Sequence, residues 1–220
     1  LAKNLQLAHY GQIVVVEIHA GFFAVPDQSG LYIADYRCTE GTSLNDYFNI
    51  MQYPTGLVNR KAYEGKIRLL PTSWESAILA ELKQEPLAFI QLENTFNPQN
   101  RNLRIETDIK ILQNLEGEYT YTLYLIENHL ISSQKNNNSF VGPVPDITDY
   151  VHNHVLRTSI NGIWGETLHP GNGFVKDETI QLIHNFIMSE NWNASQCHVV
   201  ALMSKVGTNE VIQAAEESIE

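Results

Sequence analysis

The sequence predicts an α/β unit followed by an all-β unit, with the change near residue 86. Three observations carry this prediction. Residues 13–18 form an almost continuous apolar run, which is typical of a central strand covered on both faces. Apolar and polar side chains alternate over residues 103–111, as in a half-buried antiparallel strand. The charge is also uneven, because residues 1–88 carry 7 basic and 9 acidic residues whereas residues 89–220 carry 7 and 16.

Helices are predicted at three places in the first unit. Residues 1–10 carry apolar side chains at helical spacing, and Gly11 follows as a stop signal. A short second helix is predicted to begin at Thr42. A third is predicted over about residues 73–84, since the residues around its start fit a capping box and Pro86 lies beyond its end.

The most informative local feature is the proline turn of Tyr53, Pro54, Thr55 and Gly56, which precedes a short apolar strand predicted at residues 57–58. Proline has no backbone N–H, so it is tolerated at the first residue of a strand but not inside a central one. A strand entered through proline in an α/β unit is where thioredoxin-like folds present their backbone to a substrate. The Cys-x-x-Cys pair that the chemistry of that fold requires is absent from the sequence.

The pattern after residue 86 predicts a β-sandwich over residues 87–220. Short strands of even spacing, separated by turn-forming residues, are typical of that architecture. Besides 103–111, we predict strands near residues 87–96, 119–126, 178–188, 197–204 and 210–218.

Tyr119, Tyr121 and Tyr124 straddle both faces of one of these strands. Some of them are therefore expected to be exposed or to lie at an interface, where they would suit a protein or glycan contact. The alternative that we favour is a tyrosine-rich core whose hydroxyl groups reach its rim.

The composition excludes several classes of protein. Of 220 residues, 43% are hydrophobic and 18% are charged, as in an ordinary globular protein. A formal net charge of −11 argues against a nucleic-acid partner, which would require clustered Lys and Arg. The two cysteines are too few for a disulfide scaffold or a cysteine-based zinc site. No nucleotide-binding glycine motif or nucleophile elbow is present, and no run of 18 apolar residues predicts a membrane span.

Three segments resemble, in matching order, the twenty-eight-kilodalton outer membrane protein family, which consists of secreted lipoproteins of Gram-negative bacteria. They are residues 12–21 (with Ile-Val-Val-Val-Glu-Ile-His-Ala-Gly), 53–60 (Tyr-Pro-Thr-Gly-Leu-Val-Asn-Arg) and 151–157 (Val-His-Asn-His-Val-Leu-Arg). The resemblance covers nearly the whole chain. It implies a thioredoxin-like domain over residues 1–86, incomplete at its N-terminus, followed by an immunoglobulin-like β-sandwich over residues 87–220.

The resemblance also implies a lipid anchor on the outer membrane, attached outside this chain. The first helix begins without a cap, so we expect that Leu1 is not the first residue of the gene product and that its localisation signal precedes it. Many members carry a Cys-x-x-Cys just before this helix. The pair is either upstream of Leu1 or missing from this member.

By the same resemblance, Tyr53, Pro54 and Thr55 form the platform for an extended substrate, and His19 lies nearby. A redox enzyme would present a helix-activated thiolate opposite this turn. The interpretation that we favour is that Pro54 only fixes the loop and that the chain has no catalytic residue. Cys38 is either a lone reactive thiol or, as we favour, a partly buried bystander.

His152 and His154 are two residues apart and would share a face of a strand, a spacing compatible with metal binding if His169 or Asp149 supplied a further ligand. Polar packing or a loop anchor is the interpretation that we favour, so no metal and no cofactor is expected.

The sequence therefore favours a non-enzymatic, outer-membrane-anchored lipoprotein that acts as a binding module on a thioredoxin-like scaffold. Its partner at the cell envelope would be a protein or a glycan, and no nucleic acid is expected. Two alternatives stay open: an envelope thiol–disulfide oxidoreductase whose Cys-x-x-Cys precedes Leu1, and a surface glycan-binding protein.

Overall fold

The computed structural model describes residues 1–169, 171 and 173–219. The helices are α1 (Ala2–Ala8), α2 (Thr39–Tyr47) and α3 (Pro71–Glu81), with single 3-10 turns at Phe22–Ala24 and Ala194–Gln196. The strands are β1 (Ala88–Asn97), β2 (Asn102–Ile111), β3 (Tyr119–Glu127), β4 (Leu130–Lys135), β5 (Asp146–His152), β6 (Val155–Ser159), β7 (Glu166–Leu168), β8 (Thr179–Ile187), β9 (Cys197–Lys205) and β10 (Val211–Ser218).

Two antiparallel sheets form the body of the chain after residue 86. One has the strand order β1-β2-β8 and the other β10-β9-β3-β6, with β7 beside the start of β3. Strands β4 and β5 form a separate hairpin. The inner faces of the two large sheets share one core, because the alternating side chains of β2 pack with those of β3 and β9. The predicted mostly β second unit is therefore confirmed, and its predicted strands correspond to β1, β2, β3, β8, β9 and β10.

The second sheet is buried on both of its faces. Its outer face carries Tyr124, Ile126 and Val200, which pack in a second core with Leu44 of α2 and Phe48 directly after it. Hydrogen bonds tie the same two layers together, since the Thr158 hydroxyl donates to Glu40 Oε1 at 3.0 Å and the Val211 N–H to the Asn59 carbonyl at 2.8 Å. Residues 1–86 thus cover this sheet, and the division into folding units at residue 86 stays a prediction.

The prediction of a central strand at residues 13–18 is wrong. This segment makes a single parallel bridge, from Glu17 to Val155, along the edge strand β6. Val14 and Val16 pack into the second core, whereas Ile18 is exposed. None of residues 13–18 is buried, so the segment is not a central strand covered on both faces.

The short strand predicted at residues 57–58 is also not formed, since the neighbouring Gly56 makes only an isolated bridge to Leu69. Across the described residues 1–86 the extended segments meet as isolated bridges and not as ladders. The chain is thus mostly β with few helices, and the thioredoxin-like architecture of its first unit is not confirmed.

Two helix starts differ from the predicted ones. Helix α2 begins at Thr39, where Cys38 acts as N-cap and its Sγ accepts the Gly41 N–H at 3.3 Å. Helix α3 begins at Pro71, which at the first helical position needs no hydrogen bond for its nitrogen. The predicted capping box two residues later makes no side-chain cap.

The three tyrosines of β3 are all buried. Tyr119 and Tyr121 lie in the sandwich core, and Tyr124 faces the second core, where its hydroxyl donates to the Ile163 carbonyl at 2.9 Å and accepts from Arg60 at 3.0 Å. The expectation of an exposed tyrosine is wrong because residues 1–86 cover the face on which Tyr124 lies.

The buried hydroxyls of Tyr121 and Thr107 bond to each other across the two sheets at 2.6 Å. Tyr121→Phe leaves the Thr107 hydroxyl without a partner, so we expect it to lower the free energy of unfolding by about 1–2 kcal/mol. Adding Thr107→Val removes the orphaned group and should recover part of that loss. Urea denaturation of the single and double variants tests this, and strictly additive losses would contradict it.

Candidate functional site

The predicted platform residues lie on the surface, in a turn held by local contacts. The Tyr53 hydroxyl donates to Asn45 Oδ1 at 2.7 Å, and the Tyr53–Pro54 bond is cis. Pro54 is exposed, and the Thr55 hydroxyl donates to the Gln52 carbonyl. These contacts fix the turn itself.

Gly21 lets the loop that carries Phe22 and Phe23 approach this turn closely. Gly21 has a φ of +72°, and a Cβ there would overlap the Tyr53 hydroxyl. The next residues continue the contact, since the Phe23 and Tyr53 rings meet edge to face at 6.1 Å. His19, only two residues before Gly21, makes its described contacts elsewhere, so the structure does not join it to Tyr53, Pro54 or Thr55.

His19 lies instead in a cluster with Glu17 and His152. Its Nε2 is 3.4 Å from Glu17 Oε1, and its ring centroid is 5.3 Å from that of His152. Ligand-capable atoms of the three side chains all lie within 4.8 Å of one another. Glu17 and His19 share a face because they are two residues apart on extended backbone, and the Glu17–Val155 bridge brings that backbone beside the end of β5.

Two ring nitrogens of the cluster are buried without a hydrogen-bond partner among the described residues, His19 Nε2 and His152 Nδ1. His152 is only 2% exposed, and its Nε2 bonds to the Ser132 hydroxyl at 3.0 Å. Burial and the neighbouring His19 lower the pKa of His152 to about 4, which Glu17 offsets only in part. The His152 ring is therefore neutral at pH 7, the form in which an imidazole binds metals.

Aromatic side chains close one side of the cluster and leave the other open. The Tyr36 ring lies edge-on to both histidines, at 5.4 Å from His19 and 5.1 Å from His152, and the Tyr150 ring is 4.8 Å from His152. The Glu17 side chain is 43% exposed. Solvent therefore reaches the cluster from the carboxylate side.

His152 and His154 do not form the pair on which the alternative metal interpretation depended. Strand β5 ends at His152, and His154 lies in the turn before β6 with a φ of +59°, so the two rings do not share a strand face. Asp149 and His169 are exposed and lie outside the cluster. The signal that sequence reasoning missed is the charged Glu17 within an otherwise apolar run, two residues before His19.

Cys38 has the surroundings of a structural cysteine. It caps α2 and packs against the second core, and burial raises the pKa of its thiol. Such a thiol stays protonated at neutral pH, which agrees with the bystander interpretation. Cys197 lies in the other core, on the far side of the sheet.

Comparison with known proteins identifies one family. The family described as "Outer membrane protein Omp28" matches residues 42–220, a range that includes the 53–60 and 151–157 motifs but not the 12–21 motif. No curated protein matches the chain. None of the described helices is both long and apolar enough to cross a membrane.

Solved structures give weaker similarities. A domain of the outer membrane lipoprotein Omp28 from Porphyromonas gingivalis is 20% identical, covering 62% of this chain and 91% of that one, with a TM-score of 0.41. Bacteroides uniformis β-glucuronidase 2 is 9% identical, with a TM-score of 0.30 over 59% of this chain and 12% of that one. A GH3 β-glucosidase from Bifidobacterium adolescentis is 8% identical, with a TM-score of 0.27 over 60% and 17%.

The family match agrees with the resemblance seen in the sequence motifs. It also confirms the predicted localisation at the outer membrane or cell surface of a Gram-negative bacterium. Since the match spans more than four fifths of the sequence, the chain belongs to the Omp28 family of outer membrane proteins.

Proposed function

We propose that this protein is a non-enzymatic lipoprotein of the outer membrane that binds a protein partner through an apolar groove. The observation that carries the proposal is a groove of about 520 Å³ between residues 30–34 and the β4–β5 hairpin. Leu31, Ile33 and Ile131 line it and are between 49% and 67% exposed. Contiguous exposed aliphatic side chains of this kind mark interaction surfaces on soluble domains.

Contacts between Tyr32 and the β4–β5 hairpin hold one wall of the groove in place. Along residues 31–33 the side chains alternate, so that Leu31 and Ile33 line the groove while the Tyr32 hydroxyl bonds to Asp146 at the start of β5. The Lys135 ammonium lies 5.1 Å from the centroid of the Tyr32 ring. Because the wall is held before binding, less conformational freedom is lost when a partner docks.

A protein suits this groove better than a glycan. Glycan recognition would use exposed aromatic faces, and no aromatic side chain is among the described residues that line the groove. The groove instead offers aliphatic side chains with hydroxyl groups of Ser132, Ser133 and Thr148 beside them. Burying the exposed part of each aliphatic side chain contributes about 1–2 kcal/mol, which suits the apolar side chains of an extended protein segment.

We also infer that the sandwich is immunoglobulin-like. The strand orders β1-β2-β8 and β10-β9-β3-β6, with both sheets antiparallel and packed face to face, support this assignment. The thioredoxin-like nature of residues 1–86 and the lipid anchor stay predictions. Neither is needed for the groove to bind a partner.

A photo-crosslinking amino acid at Ile131 of the full-length protein, expressed in its own host, tests the proposal. We expect one dominant adduct with another envelope protein, and we expect Ile33→Asp to abolish it. Ile183 on β8 is the control, because it is a similarly exposed isoleucine outside the described lining of the groove. Equal adducts from Ile183, or no adduct from Ile131, would refute a role for the groove.

A further inference from the structure

We propose that Glu17, His19 and His152 form a binding site for a divalent transition metal of the zinc class. The site lies in the cluster described above and is independent of the protein partner and of the apolar groove. It replaces the expectation from the sequence that the chain holds no metal.

The donor set selects the metal. Two imidazole nitrogens and one carboxylate oxygen are the three protein ligands of many open zinc sites, in which water or an outside ligand takes the fourth position. Calcium and magnesium require more oxygen donors than this cluster offers. Zn²⁺ is therefore the expected ion, with Co²⁺ as its spectroscopic substitute.

The distances fit a site that tightens on binding. Ligand atoms about 2.1 Å from a tetrahedral ion are roughly 3.4 Å apart. The His19 and Glu17 atoms are already 3.4 Å apart, and all the atoms of the cluster lie within 4.8 Å. Rotation of the Glu17 side chain, which is 43% exposed, can bring its carboxylate closer to both histidines.

The buried nitrogens are the independent evidence for a ligand. A buried polar atom without a hydrogen bond destabilises the fold. Two atoms of one cluster, His19 Nε2 and His152 Nδ1, have no such bond to any residue that the structure describes. Coordination would satisfy both. The Ser132 hydroxyl at His152 Nε2 supplies the outer hydrogen bond that commonly orients a metal-bound histidine.

The surroundings favour a cation with one open coordination position. Tyr36 and Tyr150 exclude water from the histidine side, while the exposed face of Glu17 gives an ion access. The Arg37 guanidinium, next to His19 through a parallel bridge, is already paired with Asp35 at 2.8 Å. Its positive charge is therefore partly neutralised, and the chain as a whole carries −11.

Titration of the tag-free protein with Zn²⁺ by calorimetry tests the site, with Co²⁺ absorption as a second readout. We expect one ion per chain with a micromolar or lower dissociation constant, and intense Co²⁺ d–d bands. We expect His152→Gln and His19→Gln each to weaken binding at least tenfold, and Glu17→Gln to weaken it less. Zn²⁺ should also raise the Tm of the unaltered protein but not that of the histidine variants.

His184→Gln is the matched control, because His184 also pairs with a glutamate, Glu166, outside the cluster. It should leave Zn²⁺ binding unchanged. The absence of stoichiometric Zn²⁺ binding would overturn the proposal, as would an equal loss of affinity in His184→Gln. If His152→Gln fails to fold, the His19 and Glu17 variants decide the question, because their side chains reach solvent, and unchanged affinity in both would overturn it.

Discussion

Replacing Gly165 with alanine is expected to lower the free energy of unfolding by about 4 kcal/mol, enough to prevent stable folding of a marginal domain. Gly165 has a φ of +71°, and a Cβ there would overlap the backbone carbonyl of Tyr121. That carbonyl belongs to the central strand β3 and is fixed by its neighbours on both sides. An alanine in this left-handed conformation is strained by about 1–2 kcal/mol. The overlap of its Cβ with the carbonyl adds about 1–3 kcal/mol.

Gly162 supplies the matched control for this substitution. It lies in the same turn with a φ of +93°, but a Cβ there would meet open space. Gly162→Ala should therefore lower the free energy of unfolding only by the strain of the left-handed conformation, about 1–2 kcal/mol. Urea denaturation of both variants measures the difference, and equal losses would show that the close approach to Tyr121 does not matter.

Glu127→Ala is expected to lower the free energy of unfolding by about 3 kcal/mol. Glu127 ends β3 with only 3% of its surface exposed, accepts the Asn193 N–H at 2.8 Å and lies 3.4 Å from the Arg157 guanidinium. The alanine variant leaves a largely buried arginine and a backbone N–H without their partner. Breaking one side of a buried pair is far more destabilising than losing a surface pair.

Glu106→Ala gives the comparison, because Glu106 pairs with Arg104 at 3.0 Å on the open face of β2 and its side chain is 48% exposed. We expect it to change stability by less than about 1 kcal/mol. Thermal and urea unfolding of both variants test the pair. Similar losses at Glu106 and Glu127 would show that burial does not set the strength of these ion pairs.

The sandwich could be predicted because its signal is local. Alternation over residues 103–111 matches the burial of β2, in which Leu103, Ile105, Ile109 and Ile111 face the core. The first unit could not be predicted in the same way. An apolar run such as residues 13–18 fits a central strand and an edge segment packed on another sheet equally well, and only the tertiary partner distinguishes them.

The candidate site could likewise be predicted only where its signal is local in the sequence. The Tyr53–Pro54 turn was visible in the sequence because proline constrains its own neighbours. His19 was identified, but its partner His152 comes from a hairpin far along the chain, and nothing local connects them. Glu17 was missed because its place in an apolar run suggested a strand, whereas the structure exposes its carboxylate.

The covering of the second sheet by residues 1–86 sets an order for biosynthesis. Leu44 and Phe48 leave the ribosome early, yet they share a core with Leu202 and Val211, which are made near the end of the chain. Contacts between such distant residues form slowly. The apolar face of the N-terminal layer therefore stays without its packing partner until the final strands have been made.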